Sequence, residues 1–194
     1  MELVFATNNS HKIEEVQHLL KNDFKLMSLK DIGCLEEFAE TGSTLEENAK
    51  EKAEYVYNKY QINCFADDTG LEIETLNGRP GVLSARYADE EKSSEKNINK
   101  VLSELKNISN RNAKFKTVIS LIINTKYYLF KGIINGNILS IPKGSFGFGY
   151  DSIFVPDGFT KSFAEMTLEE KNKISHRSIA IKQLAEFLNG FKSD

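Results

Sequence analysis

The chain has 194 residues, 40% hydrophobic and 27% charged, enough for one globular domain and its core. Its 25 Lys and Arg against 28 Asp and Glu leave a formal charge of −3. That balance argues against a protein that grips nucleic acid through phosphates, and it leaves room for a small anion screened by a divalent cation. The longest apolar run, Val118 to Ile123, is far short of a membrane span, and the start of the chain lacks a signal-peptide pattern. Cys34 and Cys64 fit no metal spacing and read as reduced thiols. A cytoplasmic protein with no membrane partner is expected.

Leu3 to Ala6 predicts a buried strand, followed by the polar turn Thr7-Asn8-Asn9-Ser10. A helix is expected from about His11 to Leu20, with Ile13, Val16, Leu19 and Leu20 on one face. Phe24 to Leu29 predicts a second strand. Ser43-Thr44-Leu45-Glu46 matches a capping box with Ser43 at the N-cap, opening a helix that carries Leu45, Ala49, Ala53 and Val56. A strand from Ile62 to Ala66 runs into Asp67-Asp68-Thr69-Gly70, and Leu71 to Leu76 is expected to continue extended to an Asn77-Gly78 turn. Ile98, Val101, Leu102 and Leu105 mark a further helix. Phe115 to Asn124 and Tyr127 to Ile134 read as a long hairpin. After a glycine-rich loop, Gly144 to Asp151, a final helix begins near Ser175, with Ile179, Leu184, Phe187 and Leu188 on its core face. Strands and helices interleave around a hairpin insert, so the expected fold is α/β with a mixed central sheet and flanking helices. All 194 residues are assigned to one domain with two lobes around a substrate cleft.

Four segments carry candidate chemistry. In the turn after the first strand, helix-start amides suit phosphate and Lys12 adds a charge; a plain N-cap at Asn9 or Ser10 explains the same residues. Asn8 and Asn9 tolerate the unusual backbone angles of a tight turn. The segment is not a Walker A loop. Asp67 and Asp68 end an apolar strand, where two adjacent carboxylates repel unless a cation or a proton lies between them. Magnesium is the natural occupant and Glu40 a second carboxylate; an Asp turn with Thr69-Gly70 is the alternative. The Asp-x-Asp-x-Thr spacing of haloacid-dehalogenase-type phosphatases is missing.

In the glycine loop, alternating Gly and aromatic residues let backbone and ring approach a flat ligand, with Asp151 at a base edge; a bulged hairpin with core aromatics is the alternative. Lastly, Ser175 as N-cap places His176 and Arg177 in a first helical turn, where the dipole disfavours cations. A bound anion or a purine carbonyl would account for that.

Together these segments resemble the inosine triphosphate pyrophosphatase family. The ordered set runs from Ala6-Thr7-Asn8-Asn9 with Lys12, through Glu40-Thr41-Gly42, Glu47-Asn48-Ala49 and Ala66 to Leu71. It continues with Pro80-Gly81, Ser84-Ala85-Arg86-Tyr87, Phe146 to Asp151, Ala164-Glu165-Met166, Glu170-Lys171 and Ser175-His176-Arg177. Asn8 stands where many members have Gly, and Thr69 where many have Ser; neither loses the needed backbone freedom or hydroxyl.

The resemblance implies an elongated mixed sheet, two lobes, a homodimer, and hydrolysis of ITP, dITP and XTP to the monophosphate and pyrophosphate. By motif position, Thr7, Asn8, Asn9, Ser10, His11 and Lys12 would hold the phosphates. Glu40 and Asp68 would bind magnesium, with Asp68 also activating water, and Thr69 would touch the substrate. Phe148, Gly149, Tyr150 and Asp151 would cradle the base, with Lys171, His176 and Arg177 completing the pocket. His176 and Arg177 are expected to read the 6-oxygen, since donors left unpaired by an amino group there discriminate by roughly 10⁴-fold. Two alternatives remain: a pyrophosphatase of other base preference, such as the Maf type, whose Ser-x-Ser-Pro-Arg-Arg start is absent, and a nucleotide-binding regulator without turnover.

Overall fold

A computed structural model of the chain describes residues 2–20, 25–36, 38 and 40–191. Its elements in chain order are β1 Glu2–Phe5, α1 Ser10–Leu20, β2 Lys25–Ser28, α2 Leu45–Tyr60, β3 Cys64–Ile73 and α3 Ser94–Glu104. Then follow β4 Asn112–Ile123, β5 Lys126–Ile138, β6 Phe154–Pro156, α4 Leu168–Ile174 and α5 His176–Phe191. The strands form one mixed sheet in the order β2-β1-β3-β4-β5-β6, with β1 parallel to β2 and β3, and β5 antiparallel to β6. The α/β expectation holds. The start of the second predicted strand, Phe24, lies outside the described residues.

The chain divides into two compact units: Met1–Asp68 with Thr117–Gly132 and Arg177–Asp194, and Thr69–Lys116 with Ile133–His176. In the first unit, Leu3, Val4 and Phe5 are fully buried, as an all-apolar strand in a parallel arrangement requires. Phe5 stacks on Phe65 of β3 with ring centroids 4.5 Å apart. Val16 and Leu20 of α1 and Ala180, Ile181, Leu184 and Leu188 of α5 join that core. The α5 face is therefore set one residue later than Ile179, which is half-buried. Across the sheet, Val4, Ala6, Cys64 and Ala66 pack with Ala53 and Val56 of α2. The hairpin between β4 and β5 turns through Asn124 and Thr125, both at positive φ, the pair of angles a two-residue turn needs to match strand twist. Cys34 and Cys64 are both buried and free.

In the second unit, Leu71, Ile73, Ile98, Val101, Leu105, Phe115, Phe154 and Phe163 form the core. Three local expectations shift. The capping box of α2 uses Thr44 and Glu47 rather than Ser43 and Glu46, and Ser43 instead bonds the same Glu47 carboxylate. Glu74–Leu76 leaves the strand for a 3-10 turn that closes on Asn77 in the left-handed region. The helix α4, absent from the sequence reading, is opened by a capping box of Thr167 and Glu170. Among the described residues no helix is long and apolar enough to cross a membrane.

Candidate active site

Successive residues of a strand face opposite sides of the sheet, so Asp67 and Asp68 of β3 part company despite being neighbours. Their direct contacts differ, Lys12 and Arg177 for Asp67 and Lys52 for Asp68. Asp68 meets α2: Asn48 Nδ2 donates to its Oδ2 at 3.0 Å, and Lys52 Nζ lies 3.5 Å from its Oδ1. The same ammonium donates to Glu40 Oε1 at 2.9 Å. Asn48 is held in turn, because its Oδ1 accepts from the Gly42 amide at 2.8 Å. The loop bearing Glu40 and the strand bearing Asp68 are thus fixed to one helix through Asn48 and Lys52. Burial, with the Glu40 charge, raises the Asp68 carboxyl above its ordinary value, against the pull of Lys52 and Lys12. A raised carboxyl is better suited to accept a proton near neutrality.

The turn before α1 is a working N-cap: Asn9 Oδ1 accepts from the Lys12 amide at 3.2 Å, and Thr7 Oγ1 from the Asn9 amide at 3.2 Å. Neither Asn8 nor Asn9 takes a positive φ, so their tolerance for such angles is not used here. Asn8, Ser10 and His11 are exposed at the helix start, where backbone amides and the dipole favour an anion. Lys12 Nζ bonds Asp67 Oδ1 at 2.8 Å.

Arg177 lies in the first turn of α5 and is 1% exposed. Its Nη1 donates to Glu15 of α1, and Nε and Nη2 each lie 3.3 Å from Asp67 Oδ2. Here the structure departs from the sequence expectation. The anion demanded by a first-turn cation is supplied by two carboxylates of the protein itself, and the guanidinium is enclosed by them. Burial works against the Asp67 charge, but Lys12, Arg177 and Lys52 together hold its carboxyl well below the usual range. Glu15 is not among the residues that the sequence singles out.

The second unit holds the glycine loop. Asp151 is buried, not presented at an edge: its Oδ2 accepts from the Phe148 amide at 2.9 Å and from Lys171 Nζ at 2.7 Å. Lys171 also lies 5.0 Å from the centre of the Phe148 ring. Tyr150 is core, as the bulged-hairpin alternative had it, with its hydroxyl donating to the Ser84 carbonyl at 2.9 Å and its pKa raised by burial. Phe148 and Gly149 remain half-buried. His176 stacks on Phe115, centroids 4.6 Å apart. Thr69, half-buried, follows Asp68 directly in β3.

The profile of the Ham1 family matches residues 3–187. The chain belongs to the Ham1 family. It is 54% identical over 187 residues to a dITP/XTP pyrophosphatase of Flavobacterium psychrophilum, covering 96% of this chain and 98% of that one. A dITP/XTP pyrophosphatase of Christiangramia forsetii is 54% identical over 189 residues, 97% of this chain and all of the other. The solved Staphylococcus aureus Ham1 protein superposes with a TM-score of 0.89 at 41% identity, covering 98% of this chain and 99% of that one.

Within this Ham1 chain the motif residues therefore gather into two polar groups in the first unit and one loop in the second. Asn48 and Lys52 were missed as site residues because they share the inner face of α2 with Leu45, Ala49, Ala53 and Val56. A polar side chain in an apolar stripe is the signal that would have exposed them.

The loop depends on Gly147. Its φ is +75°, and a Cβ there would run into the Asp151 carboxylate, closer than any real carbon–oxygen contact. Gly147→Ala is expected to unseat Asp151 from Lys171 and raise KM for nucleotide about 10-fold or more, the cost of misplacing a binding group by about 1 Å. Steady-state kinetics beside a thermal melt check it; an unchanged KM means the loop does not hold the ligand.

Proposed function

We propose that this chain hydrolyses the non-canonical purine nucleoside triphosphates ITP, dITP and XTP to the monophosphate and pyrophosphate, with magnesium as cofactor. The observation that carries the reading is Asp68, a buried carboxylate positioned by Asn48 and tied to Glu40 through the shared ammonium of Lys52. The names of the F. psychrophilum and C. forsetii relatives support the substrate class.

Glu40 and Asp68 fit magnesium, which takes oxygen ligands and needs one or two carboxylates beside waters and substrate phosphates. Among the described residues no cluster of three or more His, Cys, Asp or Glu is assembled, so a site completed by the substrate suits this chain better than an all-protein cage. When bound, the ion offsets charge developing on the phosphate oxygens.

Asp68 takes a proton from water, whose oxygen forms a bond to the α-phosphorus while the bond from that phosphorus to the bridging oxygen breaks and pyrophosphate leaves. Lys12 and the start of α1 bind the phosphates. Lys52 holds together Glu40 and Asp68, the two carboxylates that would hold the cation. Phe148, Gly149, Lys171 and His176 take the base, with Asp151 setting the loop and Arg177 acting through Asp67. A cytoplasmic homodimer completes the proposal; the two free cysteines suit a reducing compartment.

Incubation with ITP, dITP, XTP, GTP and ATP, with and without magnesium, tests the whole reading. Pyrophosphate is expected from the first three and only with the metal. Orthophosphate as product, or no turnover, overturns it, and light scattering of the eluted protein decides the dimer.

A further inference from the structure

Four charged side chains of the first unit are linked in a row, Lys12 to Asp67 to Arg177 to Glu15. Lys12 and Glu15 stand three residues apart on α1 and so share one side of that helix. Asp67 accepts from Lys12 through Oδ1 at 2.8 Å and meets Arg177 through Oδ2 at 3.3 Å, while Arg177 Nη1 donates to Glu15. The row alternates in sign and sums to zero. Glu15 is 4% exposed, a degree of burial that a helical carboxylate reaches when it is paired.

The geometry says what Glu15 does. Arg177 divides its guanidinium between two carboxylates, and its Nε and Nη2 both meet Asp67 at Oδ2, at a long 3.3 Å. That leaves the other oxygen for Lys12. Arginine favours two parallel bonds to one carboxylate, so without Glu15 the guanidinium would take both oxygens of Asp67 and release Lys12. We infer that Glu15 is a positioning residue for the reaction: by holding Arg177 it keeps Asp67 on Lys12 and so fixes the ammonium that grips the substrate phosphates. This rests on the phosphate-binding role proposed for Lys12.

A double-mutant cycle tests it. Glu15→Gln, equal in size but uncharged, is expected to lower kcat/KM for dITP by up to roughly 10²-fold, chiefly through KM, with Glu15→Asp recovering part of the loss. In an Arg177→Met background the same change should alter kcat/KM by less than about 2-fold, because no guanidinium remains to be released. An unchanged KM in Glu15→Gln, or an undiminished loss in the Arg177→Met background, overturns the inference. Reductive methylation mapped by mass spectrometry reads the same contact without turnover. Lys12 should label several-fold faster in Glu15→Gln than in the unaltered protein, while Lys25, exposed on β2, labels equally in both. Equal Lys12 rates also overturn it. A protein that fails to hydrolyse dITP defeats the proposed function, and the labelling still decides the role of Glu15.

Discussion

Asp68→Asn is expected to slow pyrophosphate release from dITP by about 10³-fold, within the range that a general base contributes. The substitution keeps the side chain's shape, and its remaining oxygen still accepts from Asn48 Nδ2, which cannot turn over because its own oxygen is committed to the Gly42 amide. What disappears is the charge facing Lys52 and the group that takes the proton. Nucleotide affinity, measured by calorimetry in magnesium, should fall far less than turnover, since Lys12 and the base loop are untouched. A loss below about 10-fold would assign the proton to another group.

Arg177→Met should be the most destabilising single change in the first unit. It removes the guanidinium shared by Glu15 and Asp67, both buried, and leaves Asp67 with Lys12. Breaking a buried ion pair from one side costs about 3–5 kcal/mol, because the partner charge stays behind. For a chain of this length that corresponds to a fall of roughly 6–20 °C in melting temperature. Replacing Glu15 by Leu in the same protein should restore part of the loss, as apolar groups of similar volume often substitute for such pairs. Scanning calorimetry of the two variants checks both statements. A fall below about 2 °C for Arg177→Met would mean that the network contributes almost nothing to stability.

The regular elements were largely legible in the sequence because hydrophobic period declares them. Leu3-Val4-Phe5 has no polar side and can only be buried, and the turn residues before α1 cap it as their chemistry suggests. Less legible was anything decided by which of two equal options packs better. Ser43 with Glu46 and Thr44 with Glu47 satisfy the same capping pattern, and the choice falls to the pair whose helix turns Leu45, Asn48 and Lys52 inward. The helix α4 is short, yet Thr167 and Glu170 spelled its start as clearly as those of α2.

The candidate site was legible as a set of residues, much less as a set of contacts. Asp67 and Asp68 look interchangeable in the sequence, and nothing local says that one will be locked among Lys12, Arg177 and Glu15 while the other faces Asn48 and Lys52. Those partners come from α1, α2 and α5, far off along the chain. Asp151 likewise had the right residue type for a base edge, but its proximity to Lys171 turned it inward.

The alternation of Asp67 and Asp68 across β3 has an evolutionary consequence. A substitution on one side of the sheet leaves the direct contacts of the other in place, so the two groups have some freedom to change one at a time. A single-residue insertion or deletion inside the strand has no such freedom. It would rotate every following side chain to the opposite side, exchanging the two carboxylates between their surroundings at one stroke. Length changes in descendants of this chain should therefore collect in the surface connections and spare the few residues leading into Asp67.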